Sequence, residues 1–235
     1  MTLGHKGSNK VIIKGLNKWI RGKREMDILA KLFGGVAHVK IMRLFLLNPS
    51  EGFENSMVAD RSRLSMSTTR KTTTALAGIS LIKKKSFVKE VVDGRTGKTK
   101  KKRTSGWFLN HDFPYIKEMK SILVEGDFFK HDDLARRFKS VGKVQLLVVS
   151  GVFIQQSDSR VDVLIVGDNI SRKSVQKTIS ILESELGKEL SYAVFDSADF
   201  KYRVSMYDKL LRDMFEYPHA KLIATKEFST FVFPN

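Results

Sequence analysis

The stretch that decides the fold is residues 144–166, VQLLVVSGVFIQQSDSRVDVLIV, in which two apolar runs flank a polar segment. Val144–Val149 and Val161–Val166 are apolar except for Gln145 and Asp162 and are rich in β-branched residues, as strands buried on both faces are. Ser150 and Gly151 between them predict a turn. The sequence therefore predicts two buried strands of a sheet that is covered on both sides.

Further elements are predicted on both sides of these strands from the spacing of apolar residues and from turn residues. Strands that alternate with helices predict an α/β layer with a small mixed sheet. In chain order these elements are a connecting helix (Tyr115 to Glu125), a helix with Leu134, Ala135 and Phe138, the strand pair above, a helix (Val175 to Leu186), a strand (Leu190 to Phe195) and a final long helix (Phe200 to Phe215).

Basic residues are concentrated in the first half of the chain. The whole chain has 42 Lys plus Arg against 25 Asp plus Glu, a formal net charge of +17. Residues 1–110 hold 24 basic and 7 acidic residues, whereas residues 111–235 hold 18 of each. This asymmetry predicts a polyanion-binding module, because neutralised phosphates release condensed counterions. A solvated basic surface and a membrane-facing patch are the alternatives.

The composition also excludes several classes of protein. Without cysteine there is no disulfide framework, thiolate metal site or cysteine nucleophile, which favours a cytoplasmic location. The longest apolar stretch, Val144 to Ile154, is too short to cross a bilayer, and we expect no secretory signal. The five histidines lack metal-binding spacing and no glycine-rich phosphate loop is present, so we predict no metal and no cofactor.

The sequence of the first half predicts four helices after a basic arm, residues 1–24. A short helix ends at Gly34-Gly35, and a strongly apolar helix from Val36 is halted by Asn48-Pro49. Two short helices around a tight turn follow, with Ser67 as the expected cap of the second. On that second helix Thr69, Thr73 and Leu76 share one face. The run of threonines makes it a poor intrinsic helix, which needs its neighbours for support.

A basic β-hairpin is predicted next. Lys83 to Val92 and Lys98 to Leu109 flank a turn at residues 93–97. An edge hairpin protected by lysines against aggregation is the alternative interpretation. Helix, turn, helix and basic hairpin is the order of a winged helix, in which the second short helix enters the major groove. The predicted DNA-binding residues are Ser67, Thr68, Arg70, Lys71, Thr72, Thr74, Lys83, Lys84, Lys85, Arg95, Lys98, Lys100, Lys101, Lys102 and Arg103.

The second half resembles the minimal nucleotidyltransferase fold, on the strand, turn and strand of residues 146–166. Members of that family carry a Gly-Ser turn after the first strand and an Asp-x-Asp pair that opens the second. Residues 36–110 resemble the winged-helix domain that precedes such a module in some prokaryotic transcriptional regulators. The fold class implied is α+β: a winged helix-turn-helix domain (25–110), connecting helices (111–139) and a nucleotidyltransferase-like domain (140–235).

The resemblance also implies which residues would be catalytic, and most of them are changed. Asp162 keeps the second acid of the pair, but Arg160 stands at the first, where a guanidinium would repel a divalent ion. Val152 replaces the serine of the turn after Gly151, and Ser191 stands where the third acid is expected. We therefore expect no catalytic residues, and we expect Asp162 to be a surface or sheet-end carboxylate paired with Arg160 or another cation.

The sequence thus predicts a DNA-binding transcriptional regulator whose degenerate second domain dimerises, senses a ligand or recruits a partner. Duplex DNA is the expected partner, with a homodimer plausible because paired half-sites suit paired winged helices. An active, metal-dependent nucleotidyltransferase acting on RNA, protein or a small molecule is the alternative from the enzyme class. An RNA-binding adaptor that stacks Phe87, Trp107 and Phe108 on bases is the third.

Overall fold

The structure is a computed structural model of the chain, and it describes residues 28–92, 99–125, 131–154 and 159–229. Residues 28–32 are helical and precede the first long helix. The elements of the first half are α1 (Val36–Leu47), α2 (Asn55–Ser62), α3 (Met66–Gly78), β1 (Ile82–Val92) and β2 (Thr99–Leu109). The basic arm predicted for residues 1–24 lies outside the described residues.

Helix α1 is the central element of the first hydrophobic core. Val39, Ile41 and Phe45 are buried in it and pack with residues of α2, α3 and the hairpin. The helix ends before Asn48, whose side-chain amide donates a hydrogen bond to the Leu44 carbonyl at 2.6 Å, and Pro49 follows. The predicted apolar helix and its Asn48-Pro49 end are confirmed.

The corner between α2 and α3 is tight. Arg63 at the end of α2 adopts a left-handed conformation with φ of 51°, and α3 begins three residues later at Met66. Ser65 caps α3, because its hydroxyl accepts a hydrogen bond from the Thr68 backbone N–H at 3.1 Å. The prediction that Ser67 is the cap is therefore wrong by two residues, and Ser67 lies in the first turn.

The second half alternates helices with strands, as predicted. Short 3-10 segments at Lys139–Val141 and Gly151–Ile154 precede and follow its first strand. Its remaining elements are α4 (Ile116–Leu123), α5 (His131–Phe138), β3 (Lys143–Val149), β4 (Val163–Asp168), α6 (Arg172–Leu186), β5 (Tyr192–Phe195), α7 (Ser197–Ser205), α8 (Lys209–Glu216), β6 (Ala220–Ala224) and α9 (Lys226–Ser229).

These strands form a four-stranded mixed sheet in the order β5-β4-β3-β6. Strand β3 is antiparallel to both β4 and β6, and β4 is parallel to β5. Alternate residues of the central strands face opposite cores: Leu147 and Ile165 pack with α5 and α6, whereas Val148 and Leu164 pack with α7 and α8. The prediction of buried strands with both sheet faces covered is confirmed.

Near the end of the chain one prediction is wrong and one strand is missing from the predicted elements. The expected helix from Phe200 to Phe215 is two helices, α7 and α8, separated at Tyr207, whose φ is 53°. Asp208 starts α8 by accepting hydrogen bonds from the Leu210 and Leu211 N–H groups. Both helices bury their apolar residues in one core, so the apolar spacing continues across the break. The edge strand β6 was not predicted.

The two halves contact each other where α1 packs against the end of α6. The Lys40 ammonium donates to the Ser184 hydroxyl at 3.1 Å, and the Asn48 amide donates to the Gly187 carbonyl at 2.7 Å. The buried guanidinium of Arg43 donates to the Glu185 carbonyl at 2.9 Å. In the part of the chain that the structure describes, no helix has the length and apolarity that a membrane crossing needs.

Candidate nucleic-acid interface

Helix α3 presents a basic, hydroxyl-rich face to solvent. Thr69, Thr73 and Leu76 are buried, as predicted, and hold the opposite face against the first core. No acidic residue occurs anywhere in α3, whose sequence is MSTTRKTTTALAG. The exposed residues of the predicted site on this helix are Ser67, Thr68, Arg70, Lys71 and Thr74.

One predicted contact residue of α3 faces inward. Thr72 is 2% exposed and lies with Thr69 and Leu76, because residues three and four apart on a helix share a face. The expectation that Thr72 faces solvent or a groove is therefore wrong. Burial of Thr69, Thr72 and Thr73 stabilises a run of residues whose intrinsic helix propensity is low.

A single side-chain oxygen links α3 to the hairpin. The Asn55 carbonyl oxygen accepts hydrogen bonds from the Trp107 indole at 3.0 Å and from the Thr73 hydroxyl at 3.2 Å. The Phe53 and Trp107 backbones also exchange two hydrogen bonds, of 2.9 Å and 2.8 Å. Sequence reasoning missed Asn55, although a polar residue at the start of a helix next to an aromatic strand was a usable signal.

The hairpin carries cations on both of its faces. Strands β1 and β2 are antiparallel, with Lys84 opposite Trp107 and Lys89 opposite Lys102. Directly paired residues share a face, so Lys84, Lys101 and Arg103 project on the Trp107 side. The residues of the predicted site that are exposed here are Lys84, Lys85, Lys100, Lys101, Lys102 and Arg103. Arg95 and Lys98 lie outside the described residues.

Two lysines of the hairpin are held by acids. The Lys83 ammonium lies 3.0 Å from a carboxylate oxygen of Asp112, and the Lys89 ammonium lies 2.7 Å from one of Glu54. The hydrogen bond from Lys89, supported by one from Thr104, holds the pKa of Glu54 below its ordinary value. Lys89 and Lys102 face each other across the strands, and the Glu54 carboxylate offsets the repulsion between the two cations.

At the end of β3, the Asp162 carboxylate points toward the backbone of Val152 and Ser191. One Asp162 carboxylate oxygen accepts from the Val152 N–H at 3.3 Å, and the other accepts from the Ser191 N–H at 2.9 Å. Gly151 has a φ of 59°, and a Cβ there would lie 2.2 Å from the carboxylate. Asp162 is 6% exposed. Its carboxylate joins the turn after β3 to the segment before β5.

Arg160 has a different partner from the one expected. Its guanidinium lies 3.1 Å from a carboxylate oxygen of Asp213 on α8, so the predicted pairing of Asp162 with Arg160 is wrong. Asp196 caps α7 by accepting from the Asp199 N–H at 2.7 Å. Across the described ranges, no three His, Cys, Asp or Glu side chains converge as metal ligands would.

Replacement of Asp162 with asparagine should destabilise the chain. The amide nitrogen of asparagine cannot accept a hydrogen bond, so one of the two backbone N–H groups loses its partner, at a cost of about 2 kcal/mol. Urea denaturation followed by circular dichroism would measure this loss. Asp60→Asn, at an exposed position on α2, is the matched control and should change the unfolding free energy little. Unchanged stability in Asp162→Asn would contradict the structural role.

Comparison of the chain with protein-family models, with curated proteins and with solved structures finds no match. What the chain does is therefore inferred from its own side chains.

Proposed function

We propose that the chain binds duplex DNA with α3 and the hairpin as a winged helix, and that it is a transcriptional regulator. The observation that carries this proposal is the exposed face of α3, which combines Arg70 and Lys71 with small and hydroxyl side chains beside a basic ribbon. Helices of this kind fit the major groove, where cations meet phosphates and base edges.

The shape of α3 supports insertion into a groove. Ser67, Lys71, Thr74 and Gly78 follow one another at intervals of three or four residues and form the middle of the exposed face. Three of these four residues are small, so the helix backbone can approach base edges closely. Arg70 and Thr68 flank the stripe on either side, where the phosphate strands that border a groove would lie.

We expect the hairpin to add contacts with the phosphate backbone of the DNA. Asn55 joins Trp107 of β2 to Thr73 of α3, which fixes the ribbon relative to the helix. Lys101 and Arg103 then extend the cationic surface beyond the helix. Contacts of this kind bind phosphates without reading sequence, and they make affinity strongly dependent on salt.

For the second half we propose a nucleotidyltransferase-like domain that does not perform nucleotidyl transfer. Asp162 accepts hydrogen bonds from two backbone N–H groups, and Arg160 pairs with Asp213, so neither supports metal-assisted catalysis at this turn. The domain would instead serve dimerisation, ligand sensing or recruitment of a partner. It contacts α1 through the Lys40–Ser184 and Asn48–Gly187 hydrogen bonds.

Removal of the two cations of α3 tests the proposal. Arg70→Ala with Lys71→Ala in the full chain should weaken binding to a fluorescent duplex about 10- to 100-fold, since each lost contact costs roughly 1 kcal/mol or more. The dependence of affinity on salt, measured by anisotropy between about 50 mM and about 200 mM KCl, should also become shallower by about two counterions.

A matched pair of residues provides the control. Arg172 and Lys173 are also adjacent, exposed cations on a helix, but they lie on α6. Arg172→Ala with Lys173→Ala should leave duplex binding within about twofold, because these residues lie outside the proposed interface. Equal losses in the two double variants would contradict a specific role for α3. Tighter binding to single-stranded or structured RNA than to duplex DNA would favour the RNA adaptor.

A further inference from the structure

The second half of the chain contains a groove that lies on other elements than α3 and the hairpin. It has a volume of about 620 Å³, which lies in the range of small-molecule sites. The groove lies between one stripe of α6 and the end of α5 with its following 3-10 turn. Its polar lining consists of Arg137, Ser140, Ser174, Lys177, Thr178 and Glu185.

The lining of the groove favours an anion. Arg137 and Lys177 supply two positive charges, and the hydroxyl groups of Ser174 and Thr178 can donate hydrogen bonds. The first turn of α6 contains no acidic residue, so the positive end of that helix dipole is not offset there. Ile181 adds an apolar surface on the same stripe. A phosphate ester, with several acceptor oxygens and an organic part, matches this combination.

Glu185 is the acid that a ligand would have to displace. Its carboxylate lies 2.9 Å from the Arg137 guanidinium, and its side chain is only 19% exposed. A phosphate would therefore compete with Glu185 for the same cation. The backbone carbonyl of Glu185 also accepts from Arg43 of α1 at 2.9 Å, so this residue belongs to the groove and to the contact between the halves.

We propose that this groove binds a small phosphate-bearing molecule, with the phosphate between Arg137 and Lys177 and the organic part against Ile181. The hydroxyl groups of Ser174 and Thr178 donate to the remaining phosphate oxygens, whereas the Ser140 hydroxyl already donates to the Arg137 carbonyl at 3.1 Å. Binding shifts Arg137 from Glu185 to the ligand. The proposal is independent of DNA binding, since it uses no residue of α3 or of the hairpin.

Titration of the full-length, nitrogen-15-labelled chain with inorganic phosphate and with adenosine 5′-monophosphate tests the site, at ionic strength held constant with chloride. The amide signals of Ser140, Ser174 and Thr178 should shift and saturate with both ligands, and adenosine alone should leave them unchanged. Arg137→Gln with Lys177→Gln should weaken binding about tenfold or more, because two charge-assisted contacts are lost. Lys209→Gln with Arg212→Gln removes the same charge from α8, which packs on the opposite face of the sheet, and should bind as the parent chain does.

A second pair of variants tests whether phosphate competes with Glu185 for Arg137. Glu185→Gln should bind phosphate several-fold more tightly, because Arg137 is released from its acid. Glu189→Gln, which removes an exposed acid paired with Arg61, should bind phosphate as the parent does. Equal gains in both variants would show a general charge effect and overturn the proposal.

Two other results would also overturn it: no saturable shift of the groove signals with either phosphate ligand, or shifts of these signals with a short DNA duplex alone. In the second case the groove would be an extension of the nucleic-acid surface.

Discussion

Gly187→Ala should lower the free energy of unfolding by about 2–4 kcal/mol, which combines strain at a positive φ with overpacking. Gly187 ends α6 with a φ of 79°, a conformation that glycine adopts without steric cost. A Cβ there would lie 2.4 Å from the Leu44 nitrogen and 2.7 Å from the Leu44 Cα. Both atoms belong to the backbone of α1, so the overlap is relieved only if the two helices separate.

Substitutions at two other glycines separate the contribution of backbone strain from that of overpacking. Gly34 has nearly the same φ, 81°, and a Cβ there would meet only the His38 side chain, at 3.7 Å, so Gly34→Ala reports backbone strain alone. Gly78 lies in α3 with open space around it, and Gly78→Ala should not lower stability, because alanine favours a helix more than glycine does. Urea denaturation of all three variants gives the comparison. Equal losses for Gly187→Ala and Gly34→Ala would show that contact with α1 adds nothing.

Arg43→Met should be destabilising by about 2–4 kcal/mol, because two hydrogen bonds from a charged donor are lost and two carbonyls lose their partner. The Arg43 guanidinium donates to the Leu123 carbonyl at 2.7 Å and to the Glu185 carbonyl at 2.9 Å. Leu123 is the last residue of α4 and Glu185 lies in the last turn of α6. One buried cation thus satisfies carbonyls at the negative ends of two helices.

The cost of burying the Arg43 charge acts in the opposite direction, because it lowers the stability of the parent chain. Burial lowers the pKa of the guanidinium to about 10, and the nearby Glu185 carboxylate partly offsets that shift. The side chain therefore remains charged at neutral pH, and its removal also relieves a desolvation cost. We expect the loss of the carbonyls' partner to be larger, because unpaired buried carbonyls have no access to water.

The comparison variant for Arg43 is Lys40→Met, also on α1. Lys40 donates to the Ser62 carbonyl and the Ser184 hydroxyl, but it is only partly buried, so water can replace it. Its loss should cost about 1 kcal/mol. Chemical denaturation of both variants shows whether the lost hydrogen bonds or the relieved cost of burying a charge has the larger effect on stability. An Arg43→Met chain more stable than the parent would show that charge burial dominates.

The sequence predicts a helix or strand correctly where a run of apolar residues ends at a residue that breaks regular structure, such as glycine or proline. The strands β3 and β4 and the helix α1 are predicted because their apolar runs end at Gly151 or at Asn48-Pro49. The break between α7 and α8 was missed, since Phe200 and Leu211 pack in one core and maintain the spacing. Asp208 before Leu210 was the available signal for a new helix start.

The site was predicted less completely than the fold. Exposure of Arg70 and Lys71 followed from helical spacing, but the same spacing places Thr72 beside Thr69, and this was overlooked. Arg43 could not be assigned a partner, because the carbonyls it contacts belong to residues 80 and 142 positions away. Its burial was foreseeable, since apolar residues surround it on every side of α1.

The position of α1 has a consequence for how the chain melts. Its apolar residues belong to the first core, while Arg43 and Leu44 contact α6 and Gly187, whose helix covers the sheet of the second half. Loss of either core removes support from this shared helix, so the two cores should be lost together on heating. Differential scanning calorimetry should then show a single heat-absorption peak rather than a separate peak for each hydrophobic core.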